Sequence, residues 1–317
     1  MTRPRIGLAL GSGSARGWSH IGVIEALAEA GIEPDIVCGC SIGAVVGAAY
    51  VAGELPALKD FAQSLTWREI ARMLDVRLSG GGLIGGQEIV AFLRRLKISA
   101  PIASYSKPFA AVATDLETGR EIWLREGPID DAVRASISLP GILSPVRHAD
   151  RWLVDGGLVN PVPVSVCRAL GADVVVAVNL NGDLVGRHGM DNQERNAGNG
   201  NGAPPEFVMR LVNQVPPALR EHASALLPKL VSTAPTSPGY FGVLMTSINV
   251  MQDQITRARL AGEPPHVMLL PRLRHIGLLE FNRAEETIAE GRTVVEHALP
   301  LLRRYGGTHA AVSTEHA

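Results

Sequence analysis

The chain reads as an α/β protein with a mainly parallel sheet, because short apolar runs of strand length alternate with longer helical segments across glycine-rich turns. Ile6 to Leu10 reads as a buried strand, Gly11 to Gly17 as a glycine-rich loop, and Trp18 to Ala30 as a helix with Ile21, Ile24 and Leu27 on one face. Gly31 stops that helix, Asp35 to Cys38 returns as a strand, and Ala44 to Ala49 continues as a helix, which completes a β-α-β-α unit. A second passage repeats the pattern. Trp152-Leu153-Val154 runs into Asp155-Gly156-Gly157, and a helix from Asn160-Pro161 to Leu170 leads into a strand from Val174 to Leu180.

Between these passages, Thr66-x-x-Glu69 predicts a capping box opening a helix with Ile70, Met73 and Leu74. A glycine-rich turn, Gly80 to Gly86, then precedes a helix with Ile89, Phe92, Leu93 and Leu96. Phe109 to Thr114 and Arg120 to Leu124 read as a hairpin through Thr118-Gly119, and Asp130 is expected to cap a short helix ending at Pro140-Gly141. Residues 181–206 turn to Asn, Gly and mixed charge, the composition of a mobile surface loop or lid. From Phe207 to Leu260 the chain is helical in character, with Phe241, Leu244, Met245, Ile248, Met251 and Ile255 on one stripe. The last helix spaces Ala284, Ile288, Gly291, Val295, Ala298 and Leu302 for packing. We expect one domain over 1–317, with a core at about 5–180, a helical insertion at 207–265 and a closing helix at about 283–304.

Composition narrows the function. An apolar fraction of 46% in 317 residues is ample for a core, and a net charge of −1 leaves no electrostatic footprint for nucleic acid. Contact with a membrane surface is therefore expected to be apolar or transient. Three cysteines, Cys38, Cys40 and Cys167, without C-x-x-C spacing support neither a disulfide framework nor a zinc site, and fit a reducing cytoplasm. Thr2-Arg3-Pro4-Arg5 followed by Ile6 to Leu10 imitates a leader peptide, but Gly11, Gly13 and Gly17 interrupt it. Ile36 to Gly53 is uncharged over the minimum length of a membrane span, yet its glycines suit a buried strand-turn-helix better. No span, metal or organic cofactor is expected.

That strand-turn-helix contains Gly39-Cys40-Ser41-Ile42-Gly43. A serine on such a turn takes a strained backbone that lifts its hydroxyl off the sheet, and the flanking glycines let the helix pack closely. The helix N-terminus adds free amides and a positive dipole end. A serine nucleophile needs a base. His20, His148 and His188 sit in places typical of packing or surface histidines, whereas Asp155 stands on a turn whose glycines, Gly156 and Gly157, admit another loop. The order along the chain, with the serine after only two strands, argues against an α/β-hydrolase triad. Gly11-Ser12-Gly13-Ser14-Ala15-Arg16-Gly17 enters a helix and suits an oxyanion. It lacks the Lys-Ser/Thr of a phosphate loop, and Arg16 takes the place of the third glycine of a dinucleotide fingerprint.

Glycine-rich loop, G-x-S-x-G and D-G-G in this order resemble the patatin-like phospholipases. Ser136-x-Ser138-Leu139-Pro140-Gly141, Asn160-Pro161-x-Pro163 and Arg272 to Arg283 look like the segments connecting that family's motifs. The resemblance implies a three-layer α/β/α sandwich, with Ser41 as nucleophile, Asp155 as its dyad partner and oxyanion amides around Gly13 and Ser14. Many members carry three consecutive glycines where this chain has Ser12-Gly13-Ser14, so side chains are expected to narrow the hole. The substrate implied is an acyl ester of phospholipid or lysophospholipid. A small-ester carboxylesterase, a thioesterase and a regulatory binding protein on the same fold are the alternatives. Arg16 is left with two readings: a ligand for a substrate phosphate or carboxylate, or a salt bridge that fixes the loop.

Overall fold

A computed structural model describes residues 3–66, 86–182 and 240–306. Its centre is an eight-stranded sheet: β1 (Ile6–Leu10), β2 (Ile36–Cys40), β3 (Phe109–Asp115), β4 (Glu121–Leu124), β5 (Val146–His148), β6 (Arg151–Asp155), β7 (Val174–Val178) and β8 (Val267–Leu269). Strands run in the order β5-β6-β3-β2-β1-β7-β8, with β4 paired to β3 off this path. From β3 to β8 along that order every pairing is parallel, while β4, β5 and β6 are joined antiparallel.

The helices in chain order are α1 (Ser19–Glu29), α2 (Ile42–Val51), α3 (Leu55–Ser64), α4 (Gln87–Arg95), α5 (Ile129–Ser136), α6 (Val164–Ala169), α7 (Tyr240–Gly262) and α8 (Ala284–Gly306). Alternation along the strands decides which helices cover which face. Leu8, Leu10, Val37, Phe109 and Ala111 point into a core with α1, α2 and α8, whereas Ala9, Cys38, Cys40, Ala110 and Val112 point to a second core with α6 and Leu260 of α7. Helices on both faces of one sheet make three layers. On the first face α8 closes the fold against α1. Gly22 and Gly291 lie where that helix pair meets, and a Cβ on either would collide with the Ile288 or Ser19 carbonyl.

Several boundaries differ from the sequence reading. The predicted helix over 18–30 begins as a 3-10 turn, Ser14–Trp18, before α1. Asp130 does not cap α5: Pro128 holds the N-cap position, the helix ends at Ser136, and the Asp130 carboxylate pairs with Arg94 at 2.7 Å. On α7, Met245 and Ile248 are buried as expected, but Met251 is exposed, and the buried face continues through Gln252, Asp253 and Thr256. The polar residues on that face are explained by what they meet. The side chain of Phe241, the capping box beyond Thr66, the helix with Ile70, Met73 and Leu74, the turn up to Gly85, and residues 183–239 of the expected loop and insertion lie outside the described residues.

The second passage differs most, and its difference builds the site. Ala113 and Thr114 pair with both β4 and β6, so those two strands lie on opposite edges of β3. Ala111 and Val112 pair with both β2 and β4, which puts β2 opposite β4 as well. It follows that β2 and β6 share one edge of β3, end to end. Cys40, the last residue of β2, pairs with Val112, and Asp155, the last of antiparallel β6, pairs with Ala113. The two strands meet head to head at Ser41.

Candidate active site

Ser41 occupies the sharp turn between β2 and α2 with φ 56° and ψ −124°. A side chain held at positive φ costs about 1–3 kcal/mol, so the surroundings must hold it there. Gly39 and Gly43 make this possible through close approach: a Cβ on Gly39 would lie 2.5 Å from Ala44 Cα, and one on Gly43 would run into the Leu10 carbonyl of β1. Ser136 pins the turn from the side. Its hydroxyl accepts the Ser41 amide at 2.9 Å and donates to the Val112 carbonyl at 2.6 Å.

Asp155 is fully buried beneath the half-buried Ser41. Ser41 Oγ donates to Asp155 Oδ2 at 2.5 Å, and the Gly157 amide donates to Oδ1 at 2.7 Å. The Asp155 backbone is fixed too, its amide donating to the Ser138 carbonyl at 2.9 Å and its carbonyl accepting Thr114 Oγ1 at 2.8 Å. Burial pushes the carboxyl up from 3.8 to about 6, with the bonds from Ser41 and Gly157 offsetting part of the rise. Gly156 carries no side chain because a Cβ there would strike the Val112 carbonyl.

Most amides of the glycine-rich loop find a backbone acceptor among the described residues. Gly11 N donates to the Val178 carbonyl, Ser12 N to Pro161, Ala15 N to Leu278 and Arg16 N to Gly13. Among the described residues the amides of Gly13 and Ser14 have no acceptor. Unpartnered donors at a loop entering a helical turn are where an anion is held. Gly17 packs this turn onto Ile42 at the start of α2, leaving no room for a side chain.

Arg16 fits neither reading offered for it. It is 3% exposed, and it donates to the Ile276 carbonyl at 3.2 Å, the Leu180 carbonyl at 3.5 Å and Asn181 Oδ1 at 3.1 Å, with no carboxylate partner among the described residues. Burial lowers its guanidinium to about 10, so it stays charged at neutral pH. Ser12 also departs from expectation, since its hydroxyl turns to Gln252 of α7 rather than toward Ser41. Ser14 does line the space beside Ser41. His20 is fully buried under the loop, bonded to the Gly11 carbonyl at 2.8 Å, and burial pulls its imidazole down to about 4. It faces the loop backbone, as a packing histidine does.

Beside Ser41 lies a cavity of about 180 Å³. Among the described residues its walls, apart from Ser14 and Ser41, are aliphatic or aromatic, including Trp18, Phe61, Phe92, Leu93, Ile137 and Phe281. No charged side chain of the described residues lines it. The space suits a hydrocarbon chain whose polar end reaches Ser41.

The structure thus brings together Ser41 and Asp155, sets Ser14 in the same cavity lining as Ser41, and turns the side chains of Arg16 and Ser12 to the loop's anchorage. Sequence reasoning missed Ser136 and Gln252. Ser136 had a signal, as a small polar residue spaced two from Ser138 in an otherwise apolar stretch. Gln252 had one only in its placement among buried positions of α7.

The patatin-like phospholipase family model matches residues 8–168. An uncharacterized NTE family protein of Mycobacterium tuberculosis is 34% identical over 98% of this chain and 96% of its own length. Patatin-like phospholipase domain-containing protein 6 of Mus musculus is 33% identical over 57% of this chain, which corresponds to 14% of that larger protein. The crystal structure of VipD from Legionella pneumophila aligns over 96% of this chain and 67% of its own, at 12% identity and a TM-score of 0.47. With a family model over half its length and a relative matched from end to end, the chain belongs to the patatin-like phospholipase family, and through it to the lipid acyl hydrolases.

Proposed function

We propose that the chain cleaves fatty-acyl esters of phospholipid or lysophospholipid with Ser41 as nucleophile and Asp155 as general base. The observation that carries this reading is the 2.5 Å bond from Ser41 Oγ to Asp155 Oδ2 at the wall of an apolar cavity. Asp155, held near pH 6, is ionised at neutral pH and still basic enough to take a proton. As it accepts the Ser41 proton, the oxygen attacks the ester carbonyl, and the amides of Gly13 and Ser14 receive the developing oxyanion. Asp155 returns its proton to the leaving alcohol. Water then enters and gives a proton to Asp155 as its oxygen attacks the acyl carbon, and Asp155 returns that proton to Ser41 Oγ as the fatty acid leaves.

The apolar lining supports a lipid chain over a small polar ester, because a short acyl group leaves most of that surface without contacts. Among the described residues no helix is long and apolar enough to cross a membrane, so contact with a lipid surface would be peripheral. Free, buried Cys38, Cys40 and Cys167 are compatible with a reducing compartment such as the cytoplasm.

Fluorophosphonate labelling followed by peptide mass spectrometry tests the assignment. The reading expects one adduct on Ser41 and none in Ser41→Ala. A labelled wild type that turns over only water-soluble esters would favour the carboxylesterase or thioesterase reading, and a folded, unlabelled wild type would favour a binding protein.

A further inference from the structure

Helix α7 carries the buried polar side chain of Gln252 between the glycine-rich loop and the Gly157 turn. Gln252 is 5% exposed, and its Oε1 accepts Ser12 Oγ and Asn181 Nδ2, each at 3.0 Å. Asn181 Oδ1 in turn accepts Arg16 Nη1 at 3.1 Å. Ser12 and Arg16 are thus joined through Asn181 and Gln252, and the acceptor-free amides of Gly13 and Ser14 lie between those anchors.

The direction of this network follows from its one obligate donor. A guanidinium only donates, so the Asn181 oxygen must face Arg16 and its nitrogen must face Gln252. That nitrogen requires the Gln252 oxygen, which leaves Gln252 Nε2 for the opposite side. There Nε2 lies close to where a Cβ on Gly157 would stand, against the residue whose amide donates to Asp155 Oδ1. One amide therefore turns its oxygen to the glycine loop and its N–H edge to the Asp155 turn.

We infer that Gln252 is a positioning residue, tying the loop that carries the Gly13 and Ser14 amides to the Gly157 turn that holds Asp155. This rests on the hydrolase reading above. It also explains why this chain has a serine at position 12: the hydroxyl is an attachment point for α7.

The test compares wild type, Gln252→Ala, Gln252→Glu and Ile248→Ala, a buried packing position one turn away on the same helix. Each is assayed for kcat and KM on p-nitrophenyl butyrate, for the pH profile of kcat/KM, for the Ser41 labelling rate with a fluorophosphonate, and for thermal midpoint. Gln252→Ala is expected to lower kcat and labelling by about a hundredfold with KM within about twofold, as for a small misplacement of reacting groups. Gln252→Glu sets a carboxylate against Gly157, whose amide holds the Asp155 carboxyl, and the acid limb should move up by about one pH unit. Ile248→Ala should lose stability without either effect. An active wild type in which Gln252→Ala costs no more kcat than Ile248→Ala, with the acid limb unmoved in Gln252→Glu, overturns the inference alone. A wild type that neither turns over ester nor labels overturns it together with the hydrolase reading.

Discussion

Asp155 meets opposing demands, since the burial that makes it a useful base also makes its charge costly. Its carboxyl sits near 6 in the folded chain against 3.8 for an exposed aspartate, so the native state holds the proton more tightly than the unfolded state does. Stability from this group is full below about pH 3.8, falls as pH rises to about 6, and is level above. Asp155→Asn keeps an acceptor for the Gly157 amide and cannot ionise. It should abolish turnover while gaining on wild type by on the order of 2–3 kcal/mol between pH 4 and pH 8, measured by denaturant unfolding at both. A gap that stays level or narrows toward pH 8 contradicts the assignment. For wild type, kcat/KM should fall about tenfold per unit on the acid side of an inflection near pH 6, because protonated Asp155 cannot accept the Ser41 proton. Ser41 and Asp155 were legible as residues because the glycines around them follow from steric need. The roles of Ser136 and Gln252 were not, even with the serine spacing that marks Ser136, because their partners lie far away in sequence, at Ser41 and Val112 for one and at Ser12 for the other.

Among elements, the pairing of β6 with β3 was the least legible feature, and it places the base. Strand propensity identifies Trp152 to Asp155 as extended but carries no direction, and a strand followed by a helix and a strand reads most simply as a parallel crossover. Only the register shows β6 running against β3 and meeting β2 end to end. What holds this junction is local to Ser136, whose hydroxyl joins the Ser41 amide to the Val112 carbonyl. Ser136→Ala leaves both groups buried without that partner. Stability is expected to drop by about 1–3 kcal/mol, with Ser41 labelling slowed at least about tenfold at a temperature where the variant is fully folded. The α1–α8 contact gives a contrasting case. Gly291→Ala pushes a methyl into the Ser19 carbonyl and should cost about 1–3 kcal/mol in unfolding experiments, with kcat unchanged in the remaining folded protein.

For the molecule as a whole, the α/β class and the parallel core were readable from alternating apolar runs, since buried parallel strands need nothing more specific, while the three layers followed from the family resemblance. The division of labour between the two cores was not readable. One contains the cavity wall, and the other meets α7, whose polar face made sense only after folding had placed Asn181 and Ser12 against it. Ile89 lines the cavity from α4 and is only partly buried, so it can be enlarged with little strain. Ile89→Trp is expected to lower kcat/KM for a long acyl ester relative to a short one by about tenfold, the worth of a few lost methylene contacts. The most direct test of the central claim is the initial rate of p-nitrophenyl ester hydrolysis at pH 8, over graded acyl lengths, by wild type, Ser41→Ala and Asp155→Asn. The account predicts turnover by wild type that rises with chain length, and none by either variant although both remain folded. Turnover retained by folded Ser41→Ala or Asp155→Asn would contradict it.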